Sequence, residues 1–216
     1  MNLEQLQASC LEFLSGSMAS DPAHDISHVR RVVKNVMYLT DIEQSNSMIT
    51  VAAAWLHDCV SVAKDSPQRK IASRLAARKA VEFLVGINYP EKWLDAVYHA
   101  IEAHSFSANI EVRTLEARIV QDADRLEALG AIGIARCMLT GGSMGTRLYQ
   151  PDDPFCEHRK PDDRQFTLDH FYCKLFKLAE TMQTDAGRAE ADRRIKYMQG
   201  FMEQLSGEIS GKFQPL

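Results

Sequence analysis

The 216-residue chain is 45% hydrophobic and 25% charged, the balance of an ordinary globular protein, which excludes a disordered or fibrous chain. Its formal net charge of −4 argues against the basic face that a nucleic acid or an anionic membrane favours, and leaves room for a small anionic substrate held by a few local cations. A length of 216 residues suits one domain with a substantial core.

Met1 to Ser9 carries Glu4 and lacks the basic and apolar regions of a secretory leader, so a cytoplasmic chain is expected. The longest apolar run, Val51 to Leu56, is too short to span a bilayer. Cys10, Cys59, Cys137, Cys156 and Cys173 are widely spaced and include no C-x-x-C pair, which predicts reduced thiols.

Helical periodicity runs through the chain. Leu3, Leu6, Cys10, Leu11 and Phe13-Leu14 predict a first amphipathic helix, and Ile26, Val29, Val32, Val33, Val36 and Leu39 a second. Met48 to Asp58 is apolar all round and reads as a central helix enclosed by others. Further helices are expected near 67–86, 91–105, 112–128 and 130–140. The stretch 141–164, with three prolines and three glycines, reads as a long surface loop. Helices near 166–182 and 186–206 complete the chain. The expectation is a single all-α domain over 1–216, with a site-bearing core at about 21–140 and the loop and C-terminal helices at 141–216.

The pair His57-Asp58 ends the most apolar of these helices, with Lys64 as the nearest basic residue. Burying a carboxylate costs several kcal/mol unless it is paired or metal-bound. Taken alone, the pair also fits two solvated residues at a helix end. Asp25-x-x-His28-x-x-Arg31-Val32 opens the second helix, however, and Gln121-Asp122-Ala123-Asp124-Arg125-Leu126 interrupts another apolar stripe. Imidazole and carboxylate groups gathered this way suit a divalent ion.

The order His28, His57-Asp58, Asp124 resembles the HD-domain superfamily of metal-dependent phosphohydrolases. Longer strings sharpen the likeness to its bacterial YedJ/YpgQ-type subgroup. They are Ala23-His24-Asp25-Ile26-Ser27-His28-Val29-Arg30-Arg31-Val32, His99-Ala100-Ile101-Glu102-Ala103-His104-Ser105-Phe106-Ser107, Val120 through Arg136, and Lys174 through Thr184. The resemblance implies an HD-domain helical bundle and a hydrolase that uses metal-activated water on a small phosphate ester or anhydride, a nucleotide above all. It implies one divalent metal ion (manganese, magnesium, cobalt, nickel, iron or zinc) on His28, His57, Asp58 and Asp124. The family's first His stands four residues before a Val, here Val32, which selects His28 over His24. Its last Asp precedes a basic residue and Leu, which selects Asp124 over Asp122; the two lie roughly 200° apart around a helix and cannot share one ion.

Asp58 doubles as the expected proton acceptor, and His104 is the expected substrate-facing proton donor or phosphate contact. Lys64, Arg69 and Arg125 are candidate phosphate contacts, Lys64 also a catalytic one, although each equally suits a solvated surface cation. The catalytic Glu that some HD nucleotidases place three residues after HD is Ser61 here. His99 and His104 lie roughly 140° apart around a helix, so His99 is assigned to the core. The resemblance leaves open a homodimer, a non-catalytic nucleotide-binding regulatory module and an HD-type di-iron oxygenase. Neither nucleic acid nor membrane is an expected partner.

Overall fold

A computed structural model describes residues 1–17, 26–60, 62, 70–105 and 108–211. His24, Asp25, Ser61, Lys64, Asp65 and Arg69 lie outside the described residues. Among the described residues there is no strand, and two compact units emerge, Met1–Asp124 and Arg125–Leu216. The expected all-α class holds.

The first unit contains α1 (Leu3–Ser17), α2 (Ile26–Ile42), α3 (Ser47–Leu56), α4 (Ala72–Gly86), α5 (Leu94–His104) and most of α6 (Leu115–Arg125). Helix α3 is its axis. Every residue from Ile49 to Leu56 is buried, and α1, α2, α4 and α5 all pack against it, as an apolar surface on every side of a helix requires. Asn46 caps α3 by accepting a hydrogen bond from the Met48 N–H at 3.0 Å, which satisfies one of the donors that a helix start leaves without an intrahelical partner. Helix α2 contributes one stripe, Val29, Val32, Val33, Val36 and Leu39, all buried, at the 3–4-residue spacing of a helix face. The Thr40 hydroxyl donates to that of Thr50 at 2.9 Å and pins α2 to α3.

The second unit holds α7 (Gly130–Met144), α8 (Asp169–Cys173) and α9 (Asp185–Ser210), with a 3-10 segment at Leu175–Thr181. Helix α7 starts at Gly130, whose φ of 69° is a left-handed conformation that glycine adopts without a Cβ penalty. Helix α9 is capped by Thr184, which accepts from the Gly187 N–H at 3.0 Å.

Two boundaries differ from the sequence expectation. Helix α7 runs on through Gly141-Gly142 to Met144, because two glycines do not end a helix whose face is still packed. The helix expected over 166–182 is interrupted at Lys174, at φ −136° and ψ −55°. Phe171, Leu175, Leu178 and Met182 are nevertheless all buried. The apolar spacing reports which side chains face inward, and a short helix followed by a 3-10 segment satisfies it as well as one long helix does. The segment between α7 and α8 is tied down by an isolated bridge between Arg147 and Phe166 and by Arg159, whose guanidinium holds both oxygens of the fully buried Asp169 at 2.5 and 2.7 Å.

Candidate metal centre

Three helices of the first unit end at one place. Helix α3 ends at Leu56 and delivers His57 and Asp58; α5 ends on His104; α6 carries Asp124 one residue before its end. A helix C-terminus leaves its last four carbonyls without intrahelical partners and carries a partial negative charge, so converging C-termini favour a cation. Several of these carbonyls receive side-chain donors that also fix the site. His57 Nδ1 lies 2.8 Å from the Ala54 carbonyl and His104 Nδ1 2.6 Å from that of Ile101. The Ser73 hydroxyl donates to the Glu102 carbonyl at 2.9 Å, the Gln121 carboxamide to that of Ala103 at 2.8 Å, and the Asn35 carboxamide to that of Ala123 at 3.2 Å.

These bonds select tautomers. An imidazole whose Nδ1–H donates to a carbonyl presents the lone pair of Nε2 to the other side, the form a metal ligand needs. His57 is fully buried, and its Nε2 has no hydrogen-bond partner. Two carboxylate oxygens stand near it, Asp58 Oδ2 at 3.5 Å and Asp124 Oδ1 at 3.9 Å. Burial pushes its pKa down, against the pull of Asp58, so the ring is held neutral.

The other groups close the arrangement. His28 on α2 is buried, with Nε2 3.5 Å from Asp124 Oδ1. Nitrogen and oxygen atoms of His28, His57 and Asp58 all lie within 4.8 Å of one another. Ligands bound to one ion at about 2.1 Å stand roughly 3.0–3.4 Å apart, so separations of 3.5–3.9 Å are close to what such an ion requires. Burial would raise the Asp124 carboxyl, but the hydrogen bond to His28 and the polar imidazoles gathered around it outweigh this and hold its pKa down to about 2. Asp58 and Asp124 keep 25% and 30% of their side-chain surface open, the face by which solvent or a ligand reaches the cluster. An orphaned neutral imidazole beside two carboxylates fits a divalent ion.

His104 stands on the Asp58 side, Nε2 3.6 Å from Asp58 Oδ1, and its ring lies edge-on to His57 with centroids 5.0 Å apart. Burial lowers its pKa, and the Asp58 and Asp124 carboxylates more than reverse this. His99 is engaged on both sides: Nδ1 is 3.3 Å from Glu102 Oε1, and Nε2 accepts the Arg113 N–H at 3.1 Å. Asp122 is fully buried, and Asp124 is the residue of the pair in contact with His28 and His57. The Arg125 guanidinium donates to the Thr181 carbonyl, a contact within the second unit.

Gln121 and Asn35, which orient the helix ends around the cluster, were not singled out from sequence. Their signal was present, since each is a carboxamide on a helix with an extensive buried face.

Comparison with known proteins fits this geometry. The HD domain family matches residues 25–129. Bacillus subtilis YpgQ is 33% identical over 192 residues, covering 87% of this chain and 85% of its own length. The chain belongs to the HD-domain family. A crystal structure of an HD-superfamily hydrolase from Bacillus thuringiensis is 34% identical, with a TM-score of 0.75 over 97% of this HD-domain chain and 98% of that one. The crystal structure of Bacillus subtilis YpgQ in complex with ADP is 29% identical, with a TM-score of 0.71 over 95% of each chain. This HD-domain protein thus has the HD-superfamily hydrolase fold and a His/Asp group suited to a metal ion. Among its described residues, no helix is long and apolar enough to cross a membrane, and the five cysteines are free.

Proposed function

We propose that the protein is a divalent-metal-dependent phosphohydrolase acting on a small phosphate ester or anhydride of the nucleotide class. The observation that carries this reading is the buried, neutral His57 ring, whose partnerless Nε2 faces Asp58 and Asp124. Kinship to HD-superfamily hydrolases and the ADP complex of YpgQ support the phosphate substrate.

His28, His57, Asp58 and Asp124 would hold the ion. When bound, a divalent ion supplies Lewis acidity that makes water a nucleophile near neutral pH and draws charge from a phosphoryl oxygen. The protein supplies the rest. Asp58 directs Oδ2 toward His57 and Oδ1 toward His104, so one oxygen can serve as ligand while the other accepts the proton of the attacking water. His104, whose protonated form the Asp58 and Asp124 carboxylates favour, can donate a proton to the departing oxygen or a hydrogen bond to phosphate. Lys64 and Arg69 are the proposed contacts for the remaining phosphate charge.

The test is a panel of nucleoside mono-, di- and triphosphates with manganese, cobalt, nickel and magnesium. Release of phosphate or pyrophosphate that EDTA abolishes is the expected result. Nucleotide binding without turnover under every metal would instead identify a regulatory module.

A further inference from the structure

Helix α7 has two unlike faces. Gly130, Gly133, Ile134 and Gly141 form its buried side, and a Cβ on Gly141 would collide with the Thr167 side chain, so this side is packed tight within the second unit. The opposite side carries Ala131, Ile132, Ala135, Leu139, Gly142 and Ser143, all exposed. Leu139 is 74% exposed and Ile132 40%. No charge interrupts this face over about four turns of helix. The one ionic side chain of α7, Arg136, is only half-buried and is paired with Glu127. By contrast, α9 spreads Arg188, Asp192, Arg193, Lys196 and Glu203 over its exposed surface. An uncharged apolar face on a surface helix is the composition of an interface core.

The pattern of the face points to its occupant. The bulky residues Ile132 and Leu139 stand one heptad apart, and so do the small residues Ala135 and Gly142. Set antiparallel to itself about a two-fold axis, α7 brings Leu139 level with Ala135 of a second copy and Ile132 level with Gly142 of that copy. The axis makes each of these contacts twice, as a self-complementary patch requires. Gly142 supplies an observation independent of the apolar pattern. A Cβ there would meet nothing within 4 Å, and its φ is not among the positive ones. Neither packing within the chain nor backbone geometry therefore calls for glycine, although glycine costs a helix up to about 1 kcal/mol relative to alanine. The space left open at Gly142 accommodates the side chain of a neighbouring molecule. With no charge to complement, the face selects by shape.

We infer that the exposed face of α7 is a homodimer interface, formed by two antiparallel copies of the helix with the Leu139–Ala135 and Ile132–Gly142 pairs repeated across a two-fold axis. One helix face is small beside the standard interface of roughly 800 Å² per partner, so the dimer is of moderate affinity and dissociates on dilution. Neither the metal centre nor the proposed hydrolysis enters this inference.

The test is sedimentation equilibrium of the full chain over a range of concentrations. A reversible monomer–dimer equilibrium is expected. Leu139→Glu, which would bury an unpaired carboxylate twice per dimer, and Gly142→Leu, which fills the space reserved for Ile132 of the second copy, should each weaken the dimer about tenfold or more. Both positions are open in the monomer, so neither variant should melt below the wild-type monomer, and melting curves at low concentration check this. Gly200→Leu on α9, where a Cβ also meets nothing within 4 Å, should leave the dimer unchanged. A wild-type chain that stays monomeric up to about 1 mM would overturn the inference and leave the face to a different protein. A dimer that neither α7 variant weakens would overturn it too. Loss of the dimer in Leu139→Glu alone would overturn the antiparallel register.

Discussion

The buried carboxamide of Gln121 donates to the backbone carbonyl of Ala103 at 2.8 Å, tying the helix that carries Asp124 to the helix that ends on His104. That carbonyl is one of the four that a helix end leaves without an intrahelical partner. Gln121→Leu keeps the bulk, removes the donor and leaves a buried acceptor unpaired, at a cost of about 1–3 kcal/mol. Because the bond also sets the spacing between two helix ends of the site, metal affinity should fall about 10-fold or more, as for groups that orient ligands. Thermal melting and metal titration of the variant check the two effects separately.

His57 and His99 should behave in opposite ways although both are buried histidines. His57→Ala removes the orphaned Nε2 and should reduce divalent-metal affinity by about 100-fold or more, together with metal-dependent turnover. His99 spends both ring nitrogens on Glu102 and Arg113, so His99→Ala should cost about 1–2 kcal/mol of stability and leave metal affinity within about twofold. Equal loss of metal by both variants would show that His99 belongs to the centre.

The grouping of the candidate residues was legible in the chain because the HD pattern consists of a few residue types in a fixed order on strongly periodic helices. His28, His57, Asp58 and Asp124 stand out for that reason, and roughly 200° of helix rotation separates Asp124 from Asp122. What spacing cannot carry is the partner of each polar group. That Ala54 fixes the His57 tautomer follows from where α3 ends, and that Gln121 reaches Ala103 depends on a contact across 18 positions. The break at Lys174 was hidden for a related reason, since burial of Phe171, Leu175 and Leu178 demands only that they share a face.

The connecting segment of the second unit should be acid-sensitive. Burial alone would raise the Asp169 carboxyl, but the Arg159 guanidinium and the Asp162 N–H outweigh it and hold it below the usual carboxylate range. A carboxyl whose folded pKa lies below its unfolded value of about 3.9 adds stability that is fully present above that value and is lost as pH falls through the folded pKa. Asp169→Asn should cost about 3 kcal/mol at pH 7, since it leaves the Arg159 charge without its partner. The gap in melting temperature between wild type and variant should narrow below about pH 4. A gap that stays constant down to pH 2 would mean that the pair contributes through shape alone.

Asp124→Asn should keep the fold and lose the ion. The substitution retains volume and removes a carboxylate held ionised far into the acid range, so metal affinity and turnover should drop together, by about 100-fold or more. Loss of turnover with metal affinity intact would move Asp124 from ligand to proton carrier.

The most direct test of the metal centre is anomalous diffraction from crystals soaked in manganese. The account predicts one strong peak per chain at this cluster, within bonding distance of the Nε2 atoms of His28 and His57 and of carboxylate oxygens of Asp58 and Asp124. A fully soaked crystal with no peak there, or with its principal peak at another cluster, would contradict it.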